Sequence, residues 1–485
     1  MNADSVEPGA AMYVIFGGTG DLAQRLVVPA LYHLHSRGEA ADIPIVAVTR
    51  GETDDKGYRA MITDALVRDG VARTRAAAWA RKFLYYQPIH DGTADDYRQL
   101  GNRLDEIESR HKLPGNRVFY LALPPQFFGP TASGLARAGL NRATGWVRLV
   151  VEKPFGRDLD SALKLNKELH EGWREDQIYR MDHFLGKDTV QNLMVFRFAN
   201  AMFESLWNRE HVSSVQINVP ETLGVEKRAG YYETAGVIRD MIQNHLTQIM
   251  TLVAMEPPST IEAAAIRQEK VKVLRSIKPI QPDDVVRGQY TAGHIDRKRV
   301  PAYRKEPGVA PDSTTSTYVA MKLEIDNWRW QGVPFLLRTG KRMATHLTEI
   351  VLTLREPPVS LFQPYDACQM SGDTLVLRLQ PDEGFILYFD VKVPGSGFRL
   401  SREPLHFAYG EAFGPLPEAY ETLLLDVIQG EQMLFVHAEE VEASWRLYTP
   451  VLEQGGTPLP YPAGSWGPKA ANRLAGPGPL QWRNE

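Results

Sequence analysis

Apolar residues recur along this chain with two different periods, and the dominant period changes partway. Tyr13, Val14, Ile15 and Phe16 form a short apolar run that stops at glycines, which reads as a buried strand. Over 21–37 the apolar positions Leu22, Leu26, Ala30 and Leu34 fall four apart, the spacing of one helix face. Pro29 lies inside that stretch. An interior proline costs about 3 kcal/mol and should bend the helix unless it is accommodated. Further strands are expected at 45–48, 118–123 and 147–151, with a helix over 95–112. Strands alternating with helices predict a parallel, doubly wound sheet of Rossmann type, ending near residue 185. Beyond it, 234–255 reads as one long helix. Alternating segments at 318–325, 349–354, 374–379 and 384–391 then predict a larger, mostly antiparallel sheet. The expected fold class is therefore α/β followed by α+β, with domains over 1–185 and 186–485. The tail from Gly464 is rich in proline and glycine and reads as irregular surface chain.

Composition narrows the classes. The chain has 485 residues, 43% hydrophobic and 24% charged, the profile of a globular protein with a large core. Lys plus Arg number 55 against 59 Asp plus Glu, a formal charge of −4. That balance argues against a general binder of nucleic acid or anionic membrane, so any basic site must be local. Cys368 is the single cysteine, which excludes an intrachain disulfide and a Cys-rich zinc site and fits a reducing cytoplasm. Residues 1–10 lack a basic leader, and no stretch approaches the roughly 18 apolar residues of a membrane span. A protein that stays in the cytoplasm is expected.

The first strand runs into Gly17-Gly18-Thr19-Gly20-Asp21-Leu22-Ala23, which opens a helix. Glycines let backbone approach a pyrophosphate, and the helix N-terminus offers free N–H groups and positive potential. The turn is a variant of the dinucleotide fingerprint, and the alternative is a tight strand–helix turn without a ligand. An NAD site usually places an acid at the end of the second strand, whereas an arginine accommodates a 2′-phosphate. Here that strand ends at Thr49-Arg50, which favours NADP. Asp54 and Asp55 follow closely and leave room for some NAD use.

Three polar clusters interrupt otherwise apolar surroundings. Arg180-Met181-Asp182-His183-Phe184-Leu185-Gly186-Lys187 gathers two cations, an imidazole and a carboxylate around one glycine, a composition suited to a phosphorylated anion. Arg239-Asp240-Met241-Ile242-Gln243-Asn244-His245 lies early in the long helix pattern. Glu152-Lys153-Pro154-Phe155-Gly156 follows a strand end, the edge where open α/β sheets bind ligands. Alcohol oxidation needs a base for the hydroxyl proton, and His183, His245 and His346 are all candidates. Each could equally be a hydrogen-bonded structural histidine.

In order and context these motifs resemble those of glucose-6-phosphate dehydrogenase. Arg338-Thr339-Gly340-Lys341, Gly230-Tyr231-Tyr232 and Gly410-Glu411-Ala412-Phe413 extend the resemblance over nearly the whole chain. It implies oxidation of glucose 6-phosphate at C1, with hydride passing to NADP to give the 6-phosphogluconolactone, the opening step of the oxidative pentose phosphate pathway. His245 matches the general base and Asp182 the carboxylate that orients it. His183 and Lys187 match phosphate ligands. Lys153 matches a lysine between substrate and nicotinamide, with Pro154 in the same turn. Glu221 and Asp240 match carboxylates that bind sugar hydroxyls, and Lys341 another substrate-binding lysine. Gly17, Gly18, Thr19, Gly20, Asp21, Leu22 and Arg50 complete the cofactor site. The resemblance also implies that the second domain builds a homodimer or a dimer-based homotetramer. No obligate metal is implied.

One departure stands out. Five residues after Lys341 the family usually carries Lys or Arg, and this chain has His346. A histidine of ordinary pKa, about 6.5, is mostly neutral where lysine is charged. That points to a more pH-sensitive grip on substrate, or to a sugar with another group at C6. Phe184, where many relatives have Tyr, is a milder change. A non-catalytic binder of nucleotide or sugar phosphate is the remaining alternative, although the base and its orienting carboxylate are both present.

Overall fold

The computed structural model describes residues 9–51, 53–359, 361–362, 372–395, 397–414, 416–476 and 481–484; Cys368 lies outside them. The chain divides into two compact units. The first contains the described residues through Lys187 together with Thr260–Arg267 and Pro417–Glu442. The second contains Asp188–Ser259, Gln268–Leu416 and the described residues from Ala443 onward.

In the first unit, β1 (Met12–Phe16), β2 (Ile45–Thr49), β3 (Leu84–Pro88), β4 (Arg117–Leu121), β5 (Val147–Glu152) and β6 (Ile178–Met181) pair in the order β3-β2-β1-β4-β5-β6, all parallel. This is the doubly wound order, in which helices cover both faces and strands are apolar throughout. Phe435–Val436 adds a short antiparallel strand outside β6, opposite Arg180 and Met181. β3 and β6 carry little signal in the sequence. β3 follows directly on the helix Arg73–Phe83, and β6 has four residues, one of them a buried arginine.

Pro29 is accommodated in the first helix. Ala23–Val27 is wound as a π-helix, and Val28–Ser36 is α-helical with Pro29 in its first turn. A proline needs no N–H donation there, and the wider winding before it carries the preceding carbonyls clear of its ring.

The second unit holds a nine-stranded sheet among the described residues. Its order is Leu400–Ala408, Gly384–Lys392, Thr374–Gln380, Thr348–Leu354, Val212–Pro220, Pro334–Gly340, Tyr318–Glu324, Val285–Thr291 and Leu459–Pro462. Two neighbouring pairs are parallel, Val212–Pro220 with Pro334–Gly340 and Val285–Thr291 with Leu459–Pro462; the others are antiparallel.

Two expectations for this unit need correction. The long helix over 234–255 is broken at Gly236, whose φ of 63° and ψ of 173° form a conformation open essentially to glycine alone. Ile238–Leu246 then winds as a π-helix and Thr247–Ala254 as an α-helix. The tail from Gly464 is not loose surface chain. Lys469–Ala475 forms a 3-10 helix, and buried Trp482 donates its indole N–H to Ala471 at 2.9 Å. Arg338 lies buried with its guanidinium carbon 4.7 Å from the ring centroids of both Trp466 and Trp482. It donates to Asn218, Asn484 and the carbonyl of Arg483. Such a segment has no period to read and docks through single aromatic anchors. No helix among the described residues is long and apolar enough to cross a membrane.

Candidate active site

The first unit carries the glycine-rich turn, Arg50 and the Lys153 and Asp182 motifs. Gly17 has φ 78°, and a Cβ there would lie 2.2 Å from the carbonyl oxygen of Ala122. On Gly18 a Cβ would meet Ala47 Cβ at 2.6 Å. Both glycines are therefore dictated by the close approach of β1 to β2 and β4, and the turn they make delivers Thr19, Gly20, Asp21 and Leu22 to the partly open start of the helix. That cradle fits a dinucleotide pyrophosphate: a glycine-rich turn that runs directly into a helix start.

Arg50, just past β2, is exposed and rests on the Phe127 ring at 4.7 Å. The two acids considered for NAD use are engaged locally. Asp54 caps the helix Asp55–Arg68, accepting from the Gly57 N–H at 2.7 Å. Asp55 accepts from the Tyr86 N–H and from Arg103. Arg50 is thus the charged group at the strand end that suits a 2′-phosphate.

Lys153 and Pro154, joined by a cis peptide, extend from the end of β5. The preceding residue, Glu152, is buried and accepts at Oε1 from Tyr120 (2.5 Å) and Tyr420 (3.1 Å). Burial pushes its carboxyl upward, and the two phenols pull it part of the way back. The sequence places Glu152 at the head of this cluster but assigns it no role, because its two phenol partners come from distant parts of the chain.

At the end of β6, Asp182 is 1% exposed and accepts from the Phe184 N–H at 3.0 Å. Leu185 N–H donates to the Asp182 carbonyl and Lys187 N–H to that of Phe184, so 182–187 is a pair of consecutive tight turns. They leave His183 and Lys187 half-buried, with the Lys187 ammonium 4.6 Å from the Phe184 ring centroid. Arg180, the other cation of the cluster, is not available to an anion. It is 1% exposed, bonded to Glu175 at 2.6 and 3.2 Å and to Asn166 at 2.9 Å. Arg180 lies within β6, where Glu175 and Asn166 hold it, whereas His183 and Lys187 lie in the turns beyond the strand.

The second unit carries a different constellation. Glu221 and Lys341 are 120 residues apart in sequence, but each directly follows one of two parallel neighbouring strands, Val212–Pro220 and Pro334–Gly340. Glu221 N–H bonds the Gly340 carbonyl, and the Lys341 ammonium lies 2.6 Å from the Glu221 carboxylate and 4.0 Å from that of Asp240. Tyr231 donates to Asp240 at 3.5 Å. Asp240 and His245 are both buried on the π-wound segment. In π winding, positions about five apart return to one face, and such segments recur at functional sites. The His245 N–H donates to Asn244 Oδ1 at 2.7 Å. Sequence periodicity indicates the helix but not the widened turn. His346 is exposed, and its contact is with the Gln380 amide, at 3.5 Å.

Two family models cover almost the whole chain: "Glucose-6-phosphate dehydrogenase, NAD binding domain" over 14–192 and "Glucose-6-phosphate dehydrogenase, C-terminal domain" over 194–483. Among curated relatives, glucose-6-phosphate 1-dehydrogenase of Bacillus subtilis (strain 168) is 43% identical over 98% of both chains. The enzyme of the same name from Aggregatibacter actinomycetemcomitans is 42% identical over 97% of this chain and 96% of its own. A solved glucose-6-phosphate dehydrogenase in complex with glucose 6-phosphate superposes with a TM-score of 0.89 at 34% identity, covering 96% of this chain and 97% of its own. The Mycobacterium avium glucose-6-phosphate 1-dehydrogenase gives 0.85 at 35% identity, over 98% and 99%. The chain belongs to the glucose-6-phosphate dehydrogenase family of oxidoreductases.

Proposed function

We propose that this chain oxidises D-glucose 6-phosphate at C1 to 6-phospho-D-glucono-1,5-lactone with NADP. The observation that carries the reading is the Lys341–Glu221–Asp240 cluster: an ammonium and two carboxylates held together, with Asp240 on the same buried helix as His245. NADP, when bound, supplies the hydride acceptor at nicotinamide C4. The Gly17–Gly20 turn cradles the pyrophosphate with Asp21 and Leu22 at the helix start, and Arg50 meets the 2′-phosphate. Lys153 and Pro154 form the edge between nicotinamide and sugar. His183 and Lys187 bind the substrate phosphate, one through an imidazole N–H and one as a point charge. Glu221, Asp240 and Lys341 fix the sugar hydroxyls. His245 takes the C1 hydroxyl proton, and Asp182 orients the imidazole and stabilises its charged form. In this reading the first unit holds the nucleotide and supplies the phosphate ligands His183 and Lys187, and the second supplies the groups for the sugar hydroxyls and builds a homodimer or homotetramer in the cytoplasm.

Initial rates of NADP and NAD reduction with glucose 6-phosphate, glucose and other hexose phosphates test the proposal. Strong turnover confined to NADP with glucose 6-phosphate is expected. Appreciable turnover only with another C6-substituted sugar would keep the mechanism and move the substrate, a reading that the exposed His346 favours. His245→Asn should lower kcat by at least about 10²-fold while glucose 6-phosphate still binds. Undiminished turnover would remove His245 as the base.

A further inference from the structure

The first unit takes in a segment from late in the chain, Pro417–Glu442, and its helix Ala419–Gln429 lies directly on the 182–187 turn. A Cβ on Gly186 would come within 2.5 Å of the Ala419 carbonyl oxygen and 2.7 Å of Leu423 Cγ, so helix and turn are in backbone contact there. One residue along the helix, Tyr420 reaches two motifs at once. Its ring lies nearly parallel to that of His183, with centroids 6.4 Å apart and planes 16° from parallel. Its hydroxyl donates at 3.1 Å to Glu152, the residue before Lys153. Tyr120 donates to the same oxygen from beneath, on β4. A buried carboxylate needs such donors to be kept, and a phenol with only two side-chain torsions supplies one at little entropic cost.

We propose that Tyr420 is a positioning residue that holds the Lys153 turn and the His183 ring in register with each other. Its two contacts are separable: the hydroxyl acts through Glu152 on Lys153, and the ring face acts on His183. The inference rests on the reading above, in which Lys153 borders nicotinamide and sugar and His183 binds the substrate phosphate.

Steady-state kinetics and melting temperatures of full-length Tyr420→Phe and Tyr420→Leu separate the contacts. The Phe variant keeps the ring and loses the O–H. It should lower kcat by about 3–10-fold, with KM for glucose 6-phosphate within about twofold of the parent. The Leu variant also loses the ring face. It should raise KM for glucose 6-phosphate by about tenfold while KM for NADP changes much less. A lowered melting temperature with both KM values and kcat per folded molecule unchanged would mean a structural role only and would overturn the proposal. If the Leu variant does not fold, parental kinetics in the Phe variant overturn it alone. His183→Ala is the control. If it leaves KM for glucose 6-phosphate unchanged, the phosphate assignment fails; if it raises KM and Tyr420→Leu does not, the Tyr420 proposal fails and the assignment stands.

Discussion

Residue 346 is a histidine, where the resemblance set out above implies the permanent charge of Lys or Arg. The side chain is exposed and touches only the Gln380 amide among the contacts described for it, so nothing in its packing demands histidine. His346→Lys should therefore lower the apparent KM for glucose 6-phosphate several-fold at pH 8.5, with the gap narrowing toward pH 6. Identical KM values across that range would take position 346 out of the substrate site. Phe184 lacks the hydroxyl a tyrosine would bring but offers a ring face to the Lys187 ammonium. At this scale the sequence was readable where chemistry is local, as in Asp182-His183 and Gly17-Gly18. It was silent where partners come from elsewhere. Arg180 looks like an anion ligand in the sequence, and only β6 pairing with Glu175 beneath it shows otherwise.

At the scale of elements, the strands most legible in the sequence are those with continuous or alternating apolar runs, such as β1 and Thr374–Gln380. β3, β6 and the break at Gly236 stayed hidden because their cause is tertiary contact rather than period. Helix Ala419–Gln429 offers a test of element-level electrostatics. Asp426 lies in its last turn, near the negative pole of the helix dipole. Burial first, then Glu431, pushes its carboxyl up to about 7 from 3.8. The unfolded chain therefore ionises this group at lower pH than the folded one. Its contribution erodes stability as pH rises from about 4 to about 7 and is constant above that. Asp426→Asn should stabilise the protein by roughly 2–3 kcal/mol at pH 8, allowing for partial exposure, and by much less at pH 5. Thermal melts at the two pH values check it; equal gains at both would show that the carboxyl is not held neutral.

For the molecule as a whole, the second unit depends on its last described residues. Burial lowers the Arg338 guanidinium to about 10, and it is sustained by two tryptophan faces and by the bonds to Arg483 and Asn484. Gln216 donates to the Gln481 carbonyl and accepts from the Arg483 N–H, tying the same tail to the strand Val212–Pro220 that leads to Glu221. Trp482→Ala opens a void and strips one face from a buried cation. It should cost about 3–5 kcal/mol in denaturant unfolding of the second unit. A change within 0.5 kcal/mol would mean that the tail is a passenger. The division into units is the least legible level in the sequence. Hydrophobic period identifies strands and helices but carries no address for the unit they will join.

That address has a consequence for biosynthesis. The edge strand Phe435–Val436 and the helix that bears Tyr420 belong with β1–β6, yet they emerge from the ribosome long after β6. At roughly 5–20 residues per second, the interval between Lys187 and Glu442 lasts about 10–50 s. Throughout that time the nascent first unit exposes an unpaired β6 edge and an uncovered 182–187 turn, an opening for chaperones or for wrong pairing with another nascent chain. A truncated gene ending after β6 would make that transient condition permanent.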